Sequence, residues 1–279
     1  MRHIIPETLE EALHVIAQGP TIKLAGGTDI MVKHRASQGL AAKLRQDVVY
    51  LLNVPDLHYI RKEDNGLRIG GMVPIETLLH HDDVPKILRD TLLDFASPGL
   101  RYVATLAGNI ANASPAGDAL VTLYALDALV RLKSLERTRD VPIEAVIVGP
   151  SQTTIQDDEL IESVFLPDAS FTHTEWRKVG TRRADAISKV AFTGCVTLDN
   201  DIVQDIRLAF GAVFKTVYRN RSLEKALIGQ HRHDVVKQSD ALCEKYLENI
   251  APIDDQRSNA SYRNTVTKNL LKAFIEKLS

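Results

Sequence analysis

The sequence predicts an α+β protein made of two domains. Its 279 residues correspond to about two domains of ordinary size. Strand-like and helix-like apolar patterns alternate over the first 55 residues, whereas the last third shows a β-hairpin followed by helices. A turn signal at Pro167 separates the two patterns. We therefore expect one domain over residues 1–170, with parts 1–55 and 56–170, and a second over 171–279.

The opening part predicts the order β-α-β-α-β. Pro6 stops a short apolar strand, and Thr8 followed by Glu11 is the capping-box signal for a helix that Gly19 ends. The remaining elements of this part are a strand over 21–25, a short helix over 30–32 and a strand over 48–52.

The part from residue 56 to 170 mixes strands with helices. A strand ending in glycines is predicted over 67–71, and apolar residues at helical spacing follow. The predicted elements after that strand are helices over 75–80, 84–95 and 119–129, an extended continuation over 130–132 and a strand over 160–166.

The last third predicts a hairpin and then helices. Strand-like runs over 190–198 and 202–213 are joined by the three-residue connection Asp199-Asn200-Asp201. Helical patterns follow over 222–228, 235–250 and 262–278, which together with the hairpin indicate a small α+β domain.

Charge and composition exclude several classes of protein. The formal net charge of −2 argues against a surface that follows nucleic-acid phosphates. No run of 18 apolar residues exists and the N-terminus lacks the apolar core of a signal peptide, so we expect a cytoplasmic protein without a membrane span. Two cysteines, Cys195 and Cys243, cannot hold an iron–sulfur cluster, and no histidine has partners at metal-ligand spacing, so no metal site is expected.

The first candidate binding feature is a loop with two consecutive glycines. It comprises Lys23, Leu24, Ala25, Gly26, Gly27, Thr28, Asp29 and Ile30. Glycine lets the backbone approach a ligand closely, and successive N–H groups in such a turn suit a phosphate or pyrophosphate. A turn that merely connects a strand to a helix is the alternative interpretation.

The second feature is a stretch of small residues from Ala104 to Asp118. Alanines and glycines alternate there with asparagines and hydroxyl side chains, which suits backbone wrapped around a large polar ligand better than a surface loop or a leucine-rich core helix. Asp118 opens the next apolar helix, so it is a candidate acceptor for a ribose or ribityl diol. Simple capping of that helix is the alternative role.

The two features, Leu24-Ala25-Gly26-Gly27-Thr28-Asp29 and the run Thr105 to Asp118, resemble the motifs of the FAD-binding subunit of molybdenum hydroxylases. This family includes enzymes of the xanthine, carbon monoxide and nicotinate dehydrogenase types. The resemblance extends across almost the whole chain, through blocks at 66–70, 158–161, 178–190, 207–211 and 257–263.

The resemblance implies a two-part FAD-binding domain of the p-cresol methylhydroxylase and vanillyl-alcohol oxidase type, followed by a small α+β domain with an antiparallel sheet and helices, of the carbon monoxide dehydrogenase flavoprotein type. Besides residues 23–30, it assigns FAD contacts to Phe95, Thr105, Leu106, Ala107, Gly108, Asn109, Asp118, Ile161 and Lys178. Taken alone, Phe95 and Ile161 would be ordinary core residues, and Lys178 an ordinary solvated lysine.

The implied function is electron transfer. A molybdopterin-binding large subunit and a 2Fe–2S small subunit are the implied partners, and the FAD of this chain would pass electrons to NAD, oxygen or another acceptor. No general acid or base is assigned, since the redox chemistry belongs to the cofactor. Ala107 stands where the family usually has glycine, which could alter phosphate approach. The alternatives are a stand-alone flavoprotein reductase on the same fold and a degenerate assembly subunit without FAD.

Overall fold

A computed structural model describes residues 1–37 and 39–279. The strands are β1 (His3–Ile4), β2 (Thr21–Leu24), β3 (Asp47–Tyr50), β4 (Ile60–Glu63), β5 (Gly66–Gly70), β6 (Leu129–Lys133), β7 (Thr138–Pro142), β8 (Ile147–Gly149), β9 (Gln152–Thr153), β10 (Leu160–Pro167), β11 (His173–Val179), β12 (Val190–Asp199), β13 (Ile202–Gly211) and β14 (Tyr218–Arg219). The helices are α1 (Leu9–Ile16), α2 (Ile30–Lys33), α3 (Ile75–Leu79), α4 (Lys86–Leu93), α5 (Pro98–Arg101), α6 (Leu106–Asn112), α7 (Asp118–Ala125), α8 (Ile143–Val146), α9 (Arg221–Leu227), α10 (Arg232–Lys237), α11 (Ser239–Leu247) and α12 (Ala260–Glu276).

The first compact unit comprises residues 1–84, 97–113 and 127–168. It contains a parallel sheet in the order β1-β3-β2 and an antiparallel sheet in the order β4-β5-β10-β6-β7. Strands β8 and β9 form a separate antiparallel pair. The mixture of helices and sheets confirms the α+β prediction for this part of the chain.

Helix α1 begins and ends as the sequence predicts. The hydroxyl of Thr8 accepts a hydrogen bond of 3.1 Å from the N–H of Glu11, which satisfies one of the free donors at the helix start. Its apolar residues recur at helical spacing and are buried, among them Leu13 and Ile16. Burial of this one face against β3 holds the helix on the parallel sheet.

The second compact unit comprises residues 85–96, 114–126 and 169–279. Its antiparallel sheet has the order β11-β12-β13-β14, and α4, α7 and α9 to α12 belong to the same unit. The core includes an aromatic cluster in which the ring of Phe192 lies 4.9 Å from that of Phe210 and 5.5 Å from that of Phe274, centroid to centroid. The predicted sequence boundary after residue 170 stays a prediction.

Two details of the second unit differ from the sequence prediction. The hairpin connection has two residues, since Asp199 pairs with Ile202, and Asn200 and Asp201 take positive φ values of 47° and 66°. Such a turn matches the twist of the strands better than the predicted three-residue connection, which is wrong. The single helix predicted over 235–250 is also wrong, because the chain divides there into α10 and α11.

Six strands of the described chain were not predicted, namely β4, β7, β8, β9, β11 and β14, and the three longest of them, β4, β7 and β11, are edge strands. Strands β4 and β7 border the five-stranded sheet, and β11 borders the four-stranded sheet. Edge strands keep charged and exposed side chains, so they lack the apolar run that predicts a strand from sequence. Strand β11 contains Lys178, one of the residues that the resemblance assigns to the cofactor.

Candidate functional site

The loop between β2 and α2 contains two glycines that are needed for different reasons. A Cβ on Gly26 would lie 1.8 Å from the carbonyl oxygen of Val103, so no other residue fits between the two backbones. Gly27 has a φ of +71°, a left-handed conformation that glycine adopts without strain. Gly26 therefore allows close backbone packing, and Gly27 allows the chain to turn sharply after the parallel strand β2.

The loop leaves a row of backbone donors unused. The N–H groups of Gly26, Gly27 and Thr28 donate to no acceptor within residues 1–37 and 39–279. Helix α2 begins directly afterwards, with the N–H of Met31 bonded to the Gly27 carbonyl at 3.0 Å. Successive free N–H groups ahead of a helix are suited to anionic oxygens.

Lys23 and Asp29, near the two ends of the loop, make different hydrogen bonds. The ammonium of Lys23 donates to the carbonyl of Asp157 at 2.6 Å. Partial burial lowers the pKa of Lys23, and the nearby carboxylates of Asp157 and Asp158 partly offset that effect. Asp29 is exposed, and its carbonyl accepts from the N–H of Lys33 at 2.9 Å. The Lys23 side chain thus connects the loop to the acidic segment formed by Asp157, Asp158 and Glu159.

The small-residue stretch contains helix α6 over Leu106–Asn112, an element that the sequence analysis does not predict. Thr105 caps this helix, because its hydroxyl accepts from the N–H of Gly108 at 2.9 Å. The N–H groups of Leu106 and Ala107, in the first turn, have no acceptor within the helix. Ala113 ends the helix in a left-handed conformation with a φ of 49°.

The two predicted loops lie next to each other within the first unit. A Cβ on Gly108 would be 3.8 Å from the Cβ of Ala25 and 3.3 Å from the Thr105 hydroxyl. Together with the approach of Gly26 to Val103, this contact places the glycine loop against the start of α6. At Gly26 any side chain would separate the two backbones, whereas a Cβ on Gly108 would only be in ordinary contact with Ala25 and close to the Thr105 hydroxyl.

Asn109, in helix α6, has a side-chain oxygen that accepts no hydrogen bond from the described residues. Only 8% of the residue is exposed, and its side-chain oxygen Oδ1 has no hydrogen-bond partner in the described part of the chain. A buried amide oxygen without a donor is costly, so such an atom points to a ligand or an ordered water. Sequence reasoning assigned Asn109 to the cofactor only through the resemblance.

Ala107 and Ile161 both pack against Gly71, the residue that follows strand β5. A Cβ on Gly71 would lie 2.5 Å from the carbonyl oxygen of Ile161 and 3.5 Å from the Cβ of Ala107. The N–H of Gly71 also donates to the carbonyl of Glu162 at 2.7 Å. The methyl group of Ala107 is thus buried against the protein, and Ile161 is 6% exposed in the same packing.

The second unit brings Asp118 and Lys178 into direct contact. The ammonium of Lys178 lies 2.5 Å from Oδ2 of Asp118, and the two side chains are 7% and 10% exposed. Lys178 is therefore not a solvated lysine. Asp118 is the first residue of α7, and Gly117 occupies the cap position, so the simple capping role considered for Asp118 is also wrong.

Three residues that sequence reasoning missed complete this cluster. Lys178 donates to the carbonyl of Asp94 at 2.7 Å, and the indole N–H of Trp176 donates to the Asp94 carboxylate at 2.9 Å. The hydroxyl of Ser188 donates to Oδ1 of Asp118 at 2.5 Å. No local motif could have shown these contacts, because they join α4, α7, β11 and the start of β12.

Phe95 directly follows Asp94 at the end of α4 and is half-buried. The second unit therefore contains Phe95, Asp118 and Lys178. The other predicted cofactor contacts, residues 23–30, residues 105–109 and Ile161, belong to the first unit.

The electrostatics of Asp118 combine two opposing effects. Burial raises the pKa of Asp118 above its ordinary value, while the ammonium of Lys178 and the hydroxyl of Ser188 lower it. A buried ion pair of this kind is stable only when both partners are present. The Lys178–Asp118 ion pair therefore offers one fixed positive and one fixed negative charge to a neighbouring group.

The two cysteines, Cys195 and Cys243, have free and buried thiols. Burial raises the pKa of Cys195 to about 12 and that of Cys243 to about 11, so both thiols stay protonated at neutral pH. Within residues 1–37 and 39–279, no three His, Cys, Asp or Glu side chains are grouped as metal ligands. In the same residues, no helix has the length and apolar character needed to cross a bilayer.

The chain is similar to known proteins over nearly its whole length. Residues 1–169 match the family described as the FAD binding domain in molybdopterin dehydrogenase, and residues 176–278 match the CO dehydrogenase flavoprotein C-terminal domain. The glyceraldehyde dehydrogenase medium chain of Sulfolobus acidocaldarius is 30% identical, over 98% of this chain and 97% of that one. The xanthine dehydrogenase FAD-binding subunit of Escherichia coli O157:H7 is 27% identical, over 96% of this chain and 92% of its own.

A solved structure shows the same fold. A chain of the reconstituted CO dehydrogenase from Oligotropha carboxidovorans superposes with a TM-score of 0.87 at 23% identity, and the match covers 98% of this chain and 95% of that chain. Both domain families and the full-length relatives thus confirm the family resemblance predicted from the sequence. The chain belongs to the family of FAD-binding subunits of the molybdenum hydroxylases, and is a flavoprotein subunit of an oxidoreductase.

Proposed function

We propose that this chain is the electron-transfer subunit of a molybdenum hydroxylase, acting between the 2Fe–2S clusters of a partner subunit and NAD or another acceptor. The observation that supports it most is the meeting of the two loops, at Ala25 with Gly108 and at Gly26 with Val103. These contacts bring unused backbone donors from the glycine loop and from α6 to one place. We also propose that the complex works in the cytoplasm.

The residues of the first unit fit a dinucleotide cofactor. The free N–H groups of residues 26–28 and of the first turn of α6 would bind the pyrophosphate of FAD, with the partial positive charge of the helix start adding to the attraction. The unpartnered Oδ1 of Asn109 would accept a hydrogen bond from the cofactor. No His or Cys attachment motif accompanies the loops, so binding is proposed to be non-covalent.

The residues of the second unit, taken by themselves, offer groups that suit the polar and aromatic parts of a flavin. Asp118 would accept from a hydroxyl or N–H group of the cofactor, and the half-buried ring of Phe95 offers an apolar contact. Lys178 would supply a positive charge beside the carboxylate. The bound flavin would supply the exchange of electrons between one-electron and two-electron carriers, and the chain would bind, orient and tune it.

The electron donor is proposed to come from other polypeptides. Two buried cysteines cannot supply the four thiolates of a 2Fe–2S cluster. We therefore propose a complex with a molybdopterin-binding large subunit and a 2Fe–2S small subunit. A permanent assembly of this kind normally buries a large, mostly apolar interface. The chain's own contribution is to hold the flavin within reach of the partner's clusters.

Purification of the full chain tests cofactor binding. The expected result is protein with the absorbance of oxidised flavin, in which the flavin is released by acid precipitation and FAD binds more tightly than FMN. Flavin that stays attached after acid treatment would contradict non-covalent binding, and equal affinity for FMN would contradict the pyrophosphate role of the loops. A chain that binds no flavin would be the degenerate assembly subunit.

Co-purification at native expression levels tests the partners. The expected result is a complex that contains molybdenum and iron and that reduces its acceptor only when all subunits are present. A free chain that oxidises a substrate without molybdenum or iron would instead support the stand-alone reductase.

A further inference from the structure

Ser188 contributes a buried hydroxyl to the Asp118 cluster, and none of the FAD contacts implied by the resemblance includes it. The residue is fully buried, and its Oγ donates to Oδ1 of Asp118 at 2.5 Å, while Lys178 bonds to Oδ2 at the same distance. Each carboxylate oxygen thus has one donor from the protein. Since a carboxylate oxygen can accept two hydrogen bonds, acceptor capacity is left for a ligand.

Both backbone groups of Lys189, the residue that follows Ser188, are anchored by hydrogen bonds. The N–H of Lys189 donates to the carbonyl of Val179 at 2.7 Å, and Arg263 donates to the carbonyl of Lys189 at 2.6 Å. The preceding residue, Ile187, is 59% exposed, so Ser188 is the point at which the chain enters the core. The hydroxyl is therefore held in place by contacts that do not involve Asp118.

We propose that Ser188 is a positioning residue of the cofactor site, which holds the carboxylate of Asp118 in one orientation for a hydrogen bond from FAD. The inference rests on the proposed function, because it requires that Asp118 contacts the flavin cofactor. Fixed donors that support a binding group improve recognition without touching the ligand themselves.

Few charged side chains influence the ionisation of Asp118. Lys178 from β11 and Asp94 from the end of α4 are the charged residues whose interactions with Asp118 affect its pKa. Arg207 and Arg219 bond instead to carbonyl groups at the opposite end of α7, and β12 has no charged side chain over residues 190–198. Loss of the Ser188 hydroxyl should therefore raise the pKa of Asp118 further.

The variant Ser188→Ala tests the inference through FAD binding and its pH dependence. Titration of the flavin-free full chain with FAD can be followed by fluorescence of Trp176, the single tryptophan, which bonds to Asp94 in the same cluster. We expect affinity to fall roughly tenfold to a hundredfold, as for a lost hydrogen bond to a charged group. We also expect the pH at which affinity is half lost on acidification to move upward.

Two further variants separate positioning from a merely structural role. Ser134→Ala removes another buried hydroxyl, one that accepts from the N–H of Arg137, and should change stability without changing FAD affinity or its pH profile. In the background of Asp118→Asn, the Ser188→Ala change should have little further effect on FAD affinity, because the residue that it positions is already altered.

The outcomes distinguish the inference from the proposed function. Wild-type affinity and an unshifted pH profile in Ser188→Ala would overturn the role of Ser188 while leaving FAD binding intact. Additive losses in the double variant would also overturn it. A wild-type chain that does not bind FAD, or whose affinity is unchanged by Asp118→Asn, would overturn the assignment of Asp118 and the inference with it.

Discussion

Lys178 and Asp118 are separated by 60 positions in the chain, yet Nζ of the lysine lies 2.5 Å from Oδ2 of the aspartate. Neither side chain is more than 10% exposed. Removal of one partner would leave the other charge buried without compensation, which is far more costly than the loss of a surface ion pair. The pair therefore links the stability of the second unit to the chemistry proposed for it.

Lys178→Met should destabilise the folded chain by about 3–5 kcal/mol, because Asp118 must then stay buried without its partner or take up a proton. Urea unfolding at neutral pH measures this change. Lys62→Met, at an exposed position on β4, is the matched control and should change the free energy of unfolding by less than about 0.5 kcal/mol. A similarly small change in Lys178→Met would show that the buried pair does not contribute as described.

Gly27→Val should strongly weaken FAD binding, because a branched side chain would stand beside the free N–H groups of the loop. The φ of +71° also makes any side chain there strained, at roughly 1–2 kcal/mol. Gly229→Val has nearly the same backbone strain, with a φ of +82° and no atom within 4 Å of the added Cβ. Flavin titration of both variants isolates the effect on the cofactor, and equal affinities would contradict the pyrophosphate role of the loop.

Ala107→Gly should leave FAD affinity unchanged, since the methyl group is buried and packs toward Gly71, and the change keeps the backbone N–H of residue 107. Stability should fall by about 0.5–1 kcal/mol from helix propensity, with a further loss from the missing contact. Ala111→Gly, at an exposed position of the same helix, should show the propensity effect alone. Tighter FAD binding in Ala107→Gly would mean that alanine at this position restricts the cofactor.

Glu159 should make stability depend on pH in the acid range. Arg139 holds this fully buried carboxylate with two hydrogen bonds of 2.8 Å, and these bonds lower the pKa of Glu159 below its ordinary value. A lowered pKa in the folded state contributes stability above the ordinary value, and that contribution is lost as the pH falls below it. Glu159→Gln should therefore be less stable than the wild type at neutral pH, by about 2–3 kcal/mol.

The same difference should shrink as the pH falls below the ordinary pKa of a glutamate, because the wild type then loses the charge as well. Urea unfolding at several pH values measures the trend, and the exposed Glu10→Gln serves as the control. A difference between Glu159→Gln and the wild type that stays constant with pH would contradict the assignment.

Local patterns determined much of this molecule from the sequence alone. Helix α1 follows from the Thr8 cap and one apolar face, and the Gly26-Gly27 turn follows from a strand that ends in two glycines. These features depend on residues within a few positions of one another, so periodicity and turn chemistry are sufficient to predict them. The family also followed from local motifs, because the small residues of both loops stand at defined spacings.

Only the tertiary structure decided which distant residues meet. The Asp118 cluster joins residues from several elements, and the strand with Lys178 lies at a sheet edge whose polar pattern does not predict a strand. Helix α6 was not predicted for a related reason, since Ala107 and Gly108 pack close to Gly71 and Ala25 and the helix lacks a leucine-rich face. Burial and long-range pairing set the protonation and orientation of such groups, and neither is determined by the residues adjacent in sequence.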